Sequence, residues 1–267
     1  MITDRALSFD AWAGDYDRFR PGYPDELFDE IGRRLELSQN PQVVDLGAGT
    51  GRAALAMAER GWRVTAVEPG HAMLDVLRAR ASDAGLLVAT RQASAEATGL
   101  SPGSVDLVTA AQSFHWFDKE RAVAEIARVV RPGGGVALFW NVRDEKASPF
   151  VAAYHALLEE RFGDADTGRY LQAGRPSGQD ATRQAFEGLA SFAPLEKVEL
   201  RHELMMSAEE FLGMAFTASY VRALPDDEQV RFRADVASLL TTQGLAGLKE
   251  FIVPYRVDLW ITRRSEA

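Results

Sequence analysis

The chain contains no cysteine, so disulfide staples, thiolate nucleophiles and zinc–thiolate centres are excluded as a class. Histidine is almost as scarce: His71, His115, His155 and His202 lie too far apart for metal-ligand spacing, and no metal site is expected. Lysine occurs only at 119, 146, 197 and 249, no stretch gathers five or six basic residues, and the formal net charge is −9. The electrostatic footprint of a phosphate-backbone binder is missing, so no nucleic-acid partner is expected. Apolar runs of membrane-spanning length are also lacking, and Met1-Ile2-Thr3-Asp4-Arg5 is not followed by the apolar core of a signal peptide. The expectation is a cytoplasmic protein without membrane engagement, monomeric or homodimeric.

What the chain does have is an ordinary apolar share, 46% of 267 residues, enough for one sizeable core with an elaborated insert. Between Gln42 and Asn141, strand-like and helix-like segments alternate, the pattern of a mostly parallel sheet covered on both faces. Val43 to Leu46 reads as a strand, Ala53 to Arg60 as a helix closed by Gly61, and Trp62 to Glu68 as a strand. Met73 to Ala84 is a second helix closed by Gly85, and Leu86 to Gln92 and Val105 to Ala111 are strands. Asp118 caps a helix through Val130, which Pro132 and the loop Gly133-Gly134-Gly135 terminate before the strand Val136 to Asn141. Pro24 stands at the first position of a helix running to Leu35. Later, Ala147 to Gly163 and Ala208 to Gly244 read as helical. Val198 to Met205 and Tyr255 to Arg263 alternate as strands at one sheet edge, with Val257, Leu259 and Ile261 on one face, and the intervening helices form a cap. Residues Gly163 to Asp180 read as a loop.

The chemistry begins where a strand runs into Gly47-Ala48-Gly49-Thr50-Gly51 and then a helix. Glycines let a ligand approach the backbone closely, and helix N-terminal N–H groups point outward. A dinucleotide fingerprint would place glycine at 52, where this chain has Arg52, so a nicotinamide-dependent oxidoreductase is disfavoured. Glu68 ends the next strand, where a carboxylate can accept from both hydroxyls of a ribose; a nucleoside ligand with a charged, non-pyrophosphate tail is implied. His115 and Trp116 follow the fourth strand at its C-terminal end, the side on which doubly wound sheets bind ligands. The neighbouring Phe114 and Phe117 suit packing under the cap.

Val43 to Gly51 resembles the first motif of the class I S-adenosylmethionine-dependent methyltransferases, and Glu68 resembles the acid of their second. Ala93-Ser94-Ala95-Glu96 is similar to their adenine-contacting segment, Val105-Asp106-Leu107-Val108 to their fourth strand, and Arg131-Pro132-Gly133-Gly134 to the loop before the fifth. The opening Tyr16 to Pro24 and the segment Gln112 to Phe117 look like the type 11 branch that includes trans-aconitate methyltransferases.

The resemblance implies a doubly wound, seven-stranded, mostly parallel α/β sheet with an inserted helical cap. It divides a single domain (1–267) into an N-terminal lid and first helix (1–35), a cofactor-binding core (36–145), a cap (146–190 and 207–250) and edge strands (195–206 and 252–264). It implies S-adenosylmethionine as cofactor, with S-adenosylhomocysteine as product, and a small-molecule acceptor. Cofactor contacts are implied at Tyr16, Arg20, Asp45, Gly47, Ala48, Gly49, Gly51, Glu68, Pro69, Met73, Ser94, Ala95, Glu96 and Gln112. Tyr16 and Arg20 would hold the methionine carboxylate, while Met73 would pack on the adenine. Many relatives have Asp where Ser94 stands, so the adenine amino contact falls to Ser94, Glu96 or water. His115, Trp116 and Tyr23 are the candidates at the acceptor, and with Arg18 and Arg20 the site holds donors suited to an anion.

O-methylation of a carboxylate or acidic hydroxyl is the leading expectation. N- or C-methylation of a peptide or secondary metabolite stays open, as does a regulatory protein that binds S-adenosylmethionine without turnover.

Overall fold

The computed structural model describes residues 18–163 and 176–266, with side chains in the second stretch from 181 onward. Its centre is a seven-stranded sheet. In chain order the elements begin with α1 (Asp25–Arg34), β1 (Gln42–Leu46), α2 (Arg52–Glu59), β2 (Arg63–Glu68), α3 (His71–Asp83) and β3 (Val88–Gln92). Next come β4 (Val105–Ala111), a 3-10 turn (Phe114–Trp116), α4 (Lys119–Val129) and β5 (Val130–Arg143). The remainder is α5 (Pro149–Phe162), α6 (Pro176–Phe186), β6 (Glu196–Met206), α7 (Ala208–Phe216), α8 (Ser219–Arg222), α9 (Asp226–Thr242) and β7 (Phe251–Arg263). Strand order is β3-β2-β1-β4-β5-β7-β6, with β1 to β5 parallel and β7 antiparallel to both β5 and β6. The doubly wound α/β class and the two C-terminal edge strands are as the sequence predicts.

Five local expectations need correction. The loop read as far as Asp180 gives way to helix α6 at Pro176. The Pro132-Gly133-Gly134-Gly135 segment is not a loop ahead of a short strand. β5 starts at Val130, opposite Val105, and resumes pairing at Gly135, opposite Leu107, so residues 131–134 bulge from a continuous 14-residue strand. A Cβ on Gly135 would collide with the Leu35 side chain at the C-terminal cap of α1, so the close packing of that helix end on the sheet favours glycine there. The Ala208 to Gly244 helix is three helices, α7, α8 and α9, because Thr217 and Ala218 leave the helix and Pro225 forces a new start. Pro24 is the N-cap of α1 rather than its first residue. Within the sequence-based cap boundaries, α6 packs on the core instead: Phe186 joins Phe114, Ile126 and Trp260 in one buried cluster.

The apolar faces of the two layers meet the sheet separately. Leu27, Phe28 and Ile31 of α1 pack with Met57 of α2 and Val257, Leu259 and Ile261 of β7 on one side; Val123, Ile126 and Val129 of α4 pack on the other. Helices α5, α7 and α9 form a third cluster with Phe251, Val253 and Tyr255 at the start of β7, which places a cap over one end of the sheet.

A buried carboxylate ties the segment after β3 to α4. Glu125 accepts from the Thr98 amide at 2.8 Å, from the Thr98 hydroxyl and from Arg128, and these partners hold its carboxyl down at about 2. Glu125→Ala leaves the fully buried Thr98 amide without its acceptor and is expected to cost about 2–3 kcal/mol. Because the folded pKa lies below the unfolded one, this stabilisation is present above about pH 4.5 and disappears as pH falls through about 2. Urea unfolding at pH 7 and at pH 3 checks both statements: the difference between wild type and Glu125→Ala should shrink at the lower pH.

Candidate active site

The turn after β1 is held by its neighbour strand: the Gly47 and Ala48 amides both donate to the Val67 carbonyl, at 2.8 and 3.2 Å. Gly47, Gly49 and Gly51 all have positive φ, but for different surroundings. A Cβ on Gly47 would strike Ser113 at 2.7 Å and one on Gly51 would strike Leu77 at 2.6 Å, whereas one on Gly49 would meet nothing within 4 Å. Gly49 therefore opens onto a cavity of about 300 Å³, which Gly47, Ala48, Gly49, Thr50 and Glu68 line. Gly51 does not line it; its role is close packing of the turn against α3.

Glu68, nearly buried at the end of β2, accepts from the Gly49 amide at 2.9 Å through one oxygen and from the Gly70 amide at 3.0 Å through the other. It fastens the turn and still faces the cavity. Asp45, expected among the cofactor contacts, lies outside the cavity lining. Its fully buried carboxyl accepts from the Thr109 hydroxyl at 2.8 Å, and burial pushes it up to about 7, with the Glu68 charge adding to the rise.

Pro69, Met73, Ser94, Ala95 and Glu96 come together along the wall beside β2 and β3. The Glu96 carboxylate accepts from the Asp118 amide at 3.0 Å, at the N-terminus of α4. At the end of β4, Gln112 takes a left-handed φ of 56°, and its side-chain amide donates to the Asn141 carbonyl at 3.0 Å. A non-glycine residue in that conformation needs support from its surroundings, and here it turns the chain into the 3-10 turn carrying His115. Ser113 locks the same corner by donating to the Leu46 carbonyl at 2.7 Å. Phe114 is fully buried against Phe117 and Phe186, in the core beside α4 and α6 rather than under the cap as the sequence suggests.

His115 and Trp116 both line the cavity. The Trp140 indole N–H donates to His115 Nδ1 at 3.3 Å. An indole nitrogen can only donate, so Nδ1 carries the ring's lone pair and Nε2 carries the proton. Burial, then the charges of Lys119 and Arg20, pushes the imidazole down to about 3, and the ring is neutral at physiological pH.

The far wall is the part that sequence patterns missed. Besides Arg20 and Tyr23 it contains Asn141 and Arg143 from the end of β5, Tyr154 and His155 from α5, Met214 from α7, Tyr220 from α8 and Tyr255 from β7. Arg20 donates to the Thr217 carbonyl at 3.1 Å, and Tyr23 packs edge-on against Phe139, ring centres 4.9 Å apart. Arg18 is not part of the cavity lining. It is largely exposed beside Glu209, 3.8 Å away. Tyr16 lies outside the described residues. Asn141 and Arg143 had one legible signal, their place at the C-terminal end of a predicted parallel strand; the cap tyrosines had none.

Residues 44–138 match the methyltransferase domain family. A methyltransferase-like protein of Schizosaccharomyces pombe is 30% identical over 236 residues, which span 88% of this chain and 86% of that one. The chain belongs to the class I S-adenosylmethionine-dependent methyltransferases. A Mycobacterium tuberculosis methyltransferase is 46% identical over 143 residues, 54% of this chain, and the match spans 56% of that relative's length. Among solved structures, an Anaeromyxobacter dehalogenans protein assigned as a type II methyltransferase is 31% identical with a TM-score of 0.63, covering 92% of this chain and 97% of that one.

The site of this methyltransferase fits the cofactor of its family on two observations. Gly49 presents bare backbone to open cavity where any side chain would intrude, and Glu68 brings a nearly buried carboxylate to the same wall. Among the described residues no helix is long and apolar enough to cross a membrane.

Proposed function

We propose that this methyltransferase methylates an oxygen of a small molecule, a carboxylate or an acidic hydroxyl. The carrying observation is the Trp140 indole N–H on His115 Nδ1, which assigns the ring proton to Nε2 and makes that atom a hydrogen-bond donor rather than a base. An ordinary alcohol, or an amine protonated at neutral pH, must lose a proton before it can attack and calls for a base, while a carboxylate is already nucleophilic. S-adenosylmethionine, when bound, supplies an electrophilic methyl group with a neutral thioether leaving group. The chain's own task is alignment and exclusion of water.

In this reading Arg20 holds the cofactor's carboxylate and Gly47, Ala48 and Gly49 admit its amino-acid part. Glu68 accepts from the ribose, and Pro69, Met73, Ser94, Ala95, Glu96 and Gln112 enclose the nucleoside. His115 donates toward the acceptor oxygen, while Trp116 and Tyr23 wall it in. The size of the cavity, shared with the cofactor, suits a small acceptor.

A panel of acids, phenols, alcohols, amines and short peptides, scored by product mass, tests the reading. Turnover confined to amines or peptide nitrogen would sink it. His115→Gln keeps a donor and should retain activity to within about tenfold, whereas His115→Ala should lose roughly a hundredfold. Because the imidazole is already neutral above about pH 3, the wild-type rate should show no rise through the usual histidine range of pH 5 to 8. Equal and severe loss in both variants, with a rate that climbs through that range, would make His115 a base.

A further inference from the structure

Of the arginines that line the cavity, Arg52 and Arg143 have no role in the reading above, and Arg143 stands on the cap side. Arg143, the last residue of β5, lines the cavity and is half-buried. Its Nε is closed off from solvent with no hydrogen-bond partner, Nη1 donates to the Met214 thioether at 3.4 Å, and the Tyr255 side chain is a further hydrogen-bond partner of the guanidinium. Thioether sulfur is a weak acceptor and a poor match for a guanidinium fork that fits a carboxylate or phosphate with two parallel bonds. The ionisable groups that face Arg143 are Tyr154, Tyr220 and Tyr255, and among the described residues no carboxylate pairs with it. Its guanidinium lies over the Tyr154 ring, 5.0 Å from the centroid. The Tyr154 hydroxyl, on a fully buried side chain, is a second polar group with no partner, and Tyr154 lines the same cavity.

A half-buried guanidinium without a counter-charge is costly to keep, and so is a buried hydroxyl without a bond. Two such groups converging on one cavity wall are mutually explained by an anion that accepts from both. The sheet order decides which anion. Glu68 ends β2 and Arg143 ends β5, with β1 and β4 between them, so three strand spacings, roughly 14 Å, separate the two across the sheet, and Arg143 lies further along its strand as well. Arg143 therefore stands away from the nucleoside wall, on the side where the cap helices α5, α7 and α8 close over the sheet.

We propose that Arg143, with the Tyr154 hydroxyl, forms an anion subsite for the methyl acceptor and sets its specificity for a carboxylate or phosphate group on an apolar or aromatic body. The inference rests on the assignment of the nucleoside to the Glu68 wall. Tyr220 and Tyr255 flank the guanidinium, Tyr255 also as its hydrogen-bond partner, and their rings supply apolar surface, so the subsite selects the charge while the tyrosine rings accommodate what carries it. Methylation of the bound carboxylate itself would remove the negative charge that Arg143 recognises and favour product release. A phosphate or second carboxylate held there would instead stay anionic through turnover.

The test uses the full-length protein saturated with S-adenosylhomocysteine, titrated by calorimetry with benzoate, phenyl phosphate and the uncharged isostere benzamide. Wild type should bind at least one of the two anions and not benzamide. Arg143→Met should weaken that anion by at least about thirtyfold, Arg143→Lys by less, and Tyr154→Phe, which removes one oxygen from a buried ring, by about fivefold to tenfold. The S-adenosylhomocysteine affinity of all three variants should stay within about threefold of wild type. Failure of both anions to bind wild type at 20 mM, on the order of weak fragment affinity, overturns the subsite. So does equal anion binding by wild type and Arg143→Met. A tenfold or greater loss of S-adenosylhomocysteine affinity in Arg143→Met assigns the guanidinium to the cofactor carboxylate instead, and also overturns it. Methyl transfer only to nitrogen acceptors, with anion binding intact and dependent on Arg143, would remove the O-methylation reading and leave the subsite standing.

Discussion

Replacing Gly49 by valine abolishes S-adenosylhomocysteine binding while the protein stays folded. A Cβ at this position meets no protein atom within 4 Å, so the larger side chain displaces nothing in the core and projects into the cavity instead. The left-handed φ of 54° adds about 1–2 kcal/mol of backbone strain for a branched residue, small against a typical domain stability of about 5–15 kcal/mol. Calorimetry should show affinity reduced by at least about a hundredfold, equivalent to roughly 2.8 kcal/mol, with the melting temperature lowered by only a few degrees. Gly51→Val, two residues on, is the opposite case. Its Cβ would lie 2.6 Å from Leu77, so the variant should lose stability first and binding only as a consequence. A Gly49→Val protein that binds normally would show that the turn is no cradle.

The contrast between these two glycines marks how far the sequence could be read. The strand, turn and helix around residues 47–51 were legible because glycine spacing and hydrophobic runs are local signals, and the sheet follows from their order. That three glycines in one motif serve three different neighbours, Ser113, open cavity and Leu77, depends on tertiary packing which no spacing encodes. Asp45 shows the same limit: it sits inside the motif, but its carboxyl accepts from Thr109 and is not part of the cavity lining. The bulge at 131–134 was read as a loop because Pro and Gly punctuate both; only the pairing of Val130 with Val105 distinguishes them. Arg143 and the tyrosines escaped notice for a different reason. They converge from β5, α5, α8 and β7, elements spread over more than 100 residues of the chain, and each alone reads as an ordinary core aromatic or a strand-end cation.

Glu68→Ala should raise the dissociation constant for S-adenosylhomocysteine by at least about a hundredfold, and Glu68→Gln by about tenfold or more. The carboxylate has two duties. One oxygen accepts from the Gly49 amide and the other from the Gly70 amide, and in the proposed reading the carboxylate also accepts from the two ribose hydroxyls. Each charge-assisted bond contributes about 1.5–3 kcal/mol, so losing two ligand bonds accounts for a hundredfold effect without any change of fold. Glutamine keeps the shape, but it places an amide NH2 against one of the two backbone N–H donors, so the turn loosens even where one oxygen still accepts. Adenosine separates the two duties from each other, because it carries the ribose and lacks the amino-acid tail beside Gly49. If Glu68 binds the ribose, Glu68→Ala weakens adenosine and S-adenosylhomocysteine by the same factor within about threefold, since the lost bonds are common to both. If Glu68 only braces the turn, the ligand that reaches along the turn suffers more, and adenosine affinity survives nearly unchanged. That second pattern, measured by calorimetry on a variant whose melting temperature shows it folded, would remove the ribose contact and with it the firmest polar anchor of the cofactor site.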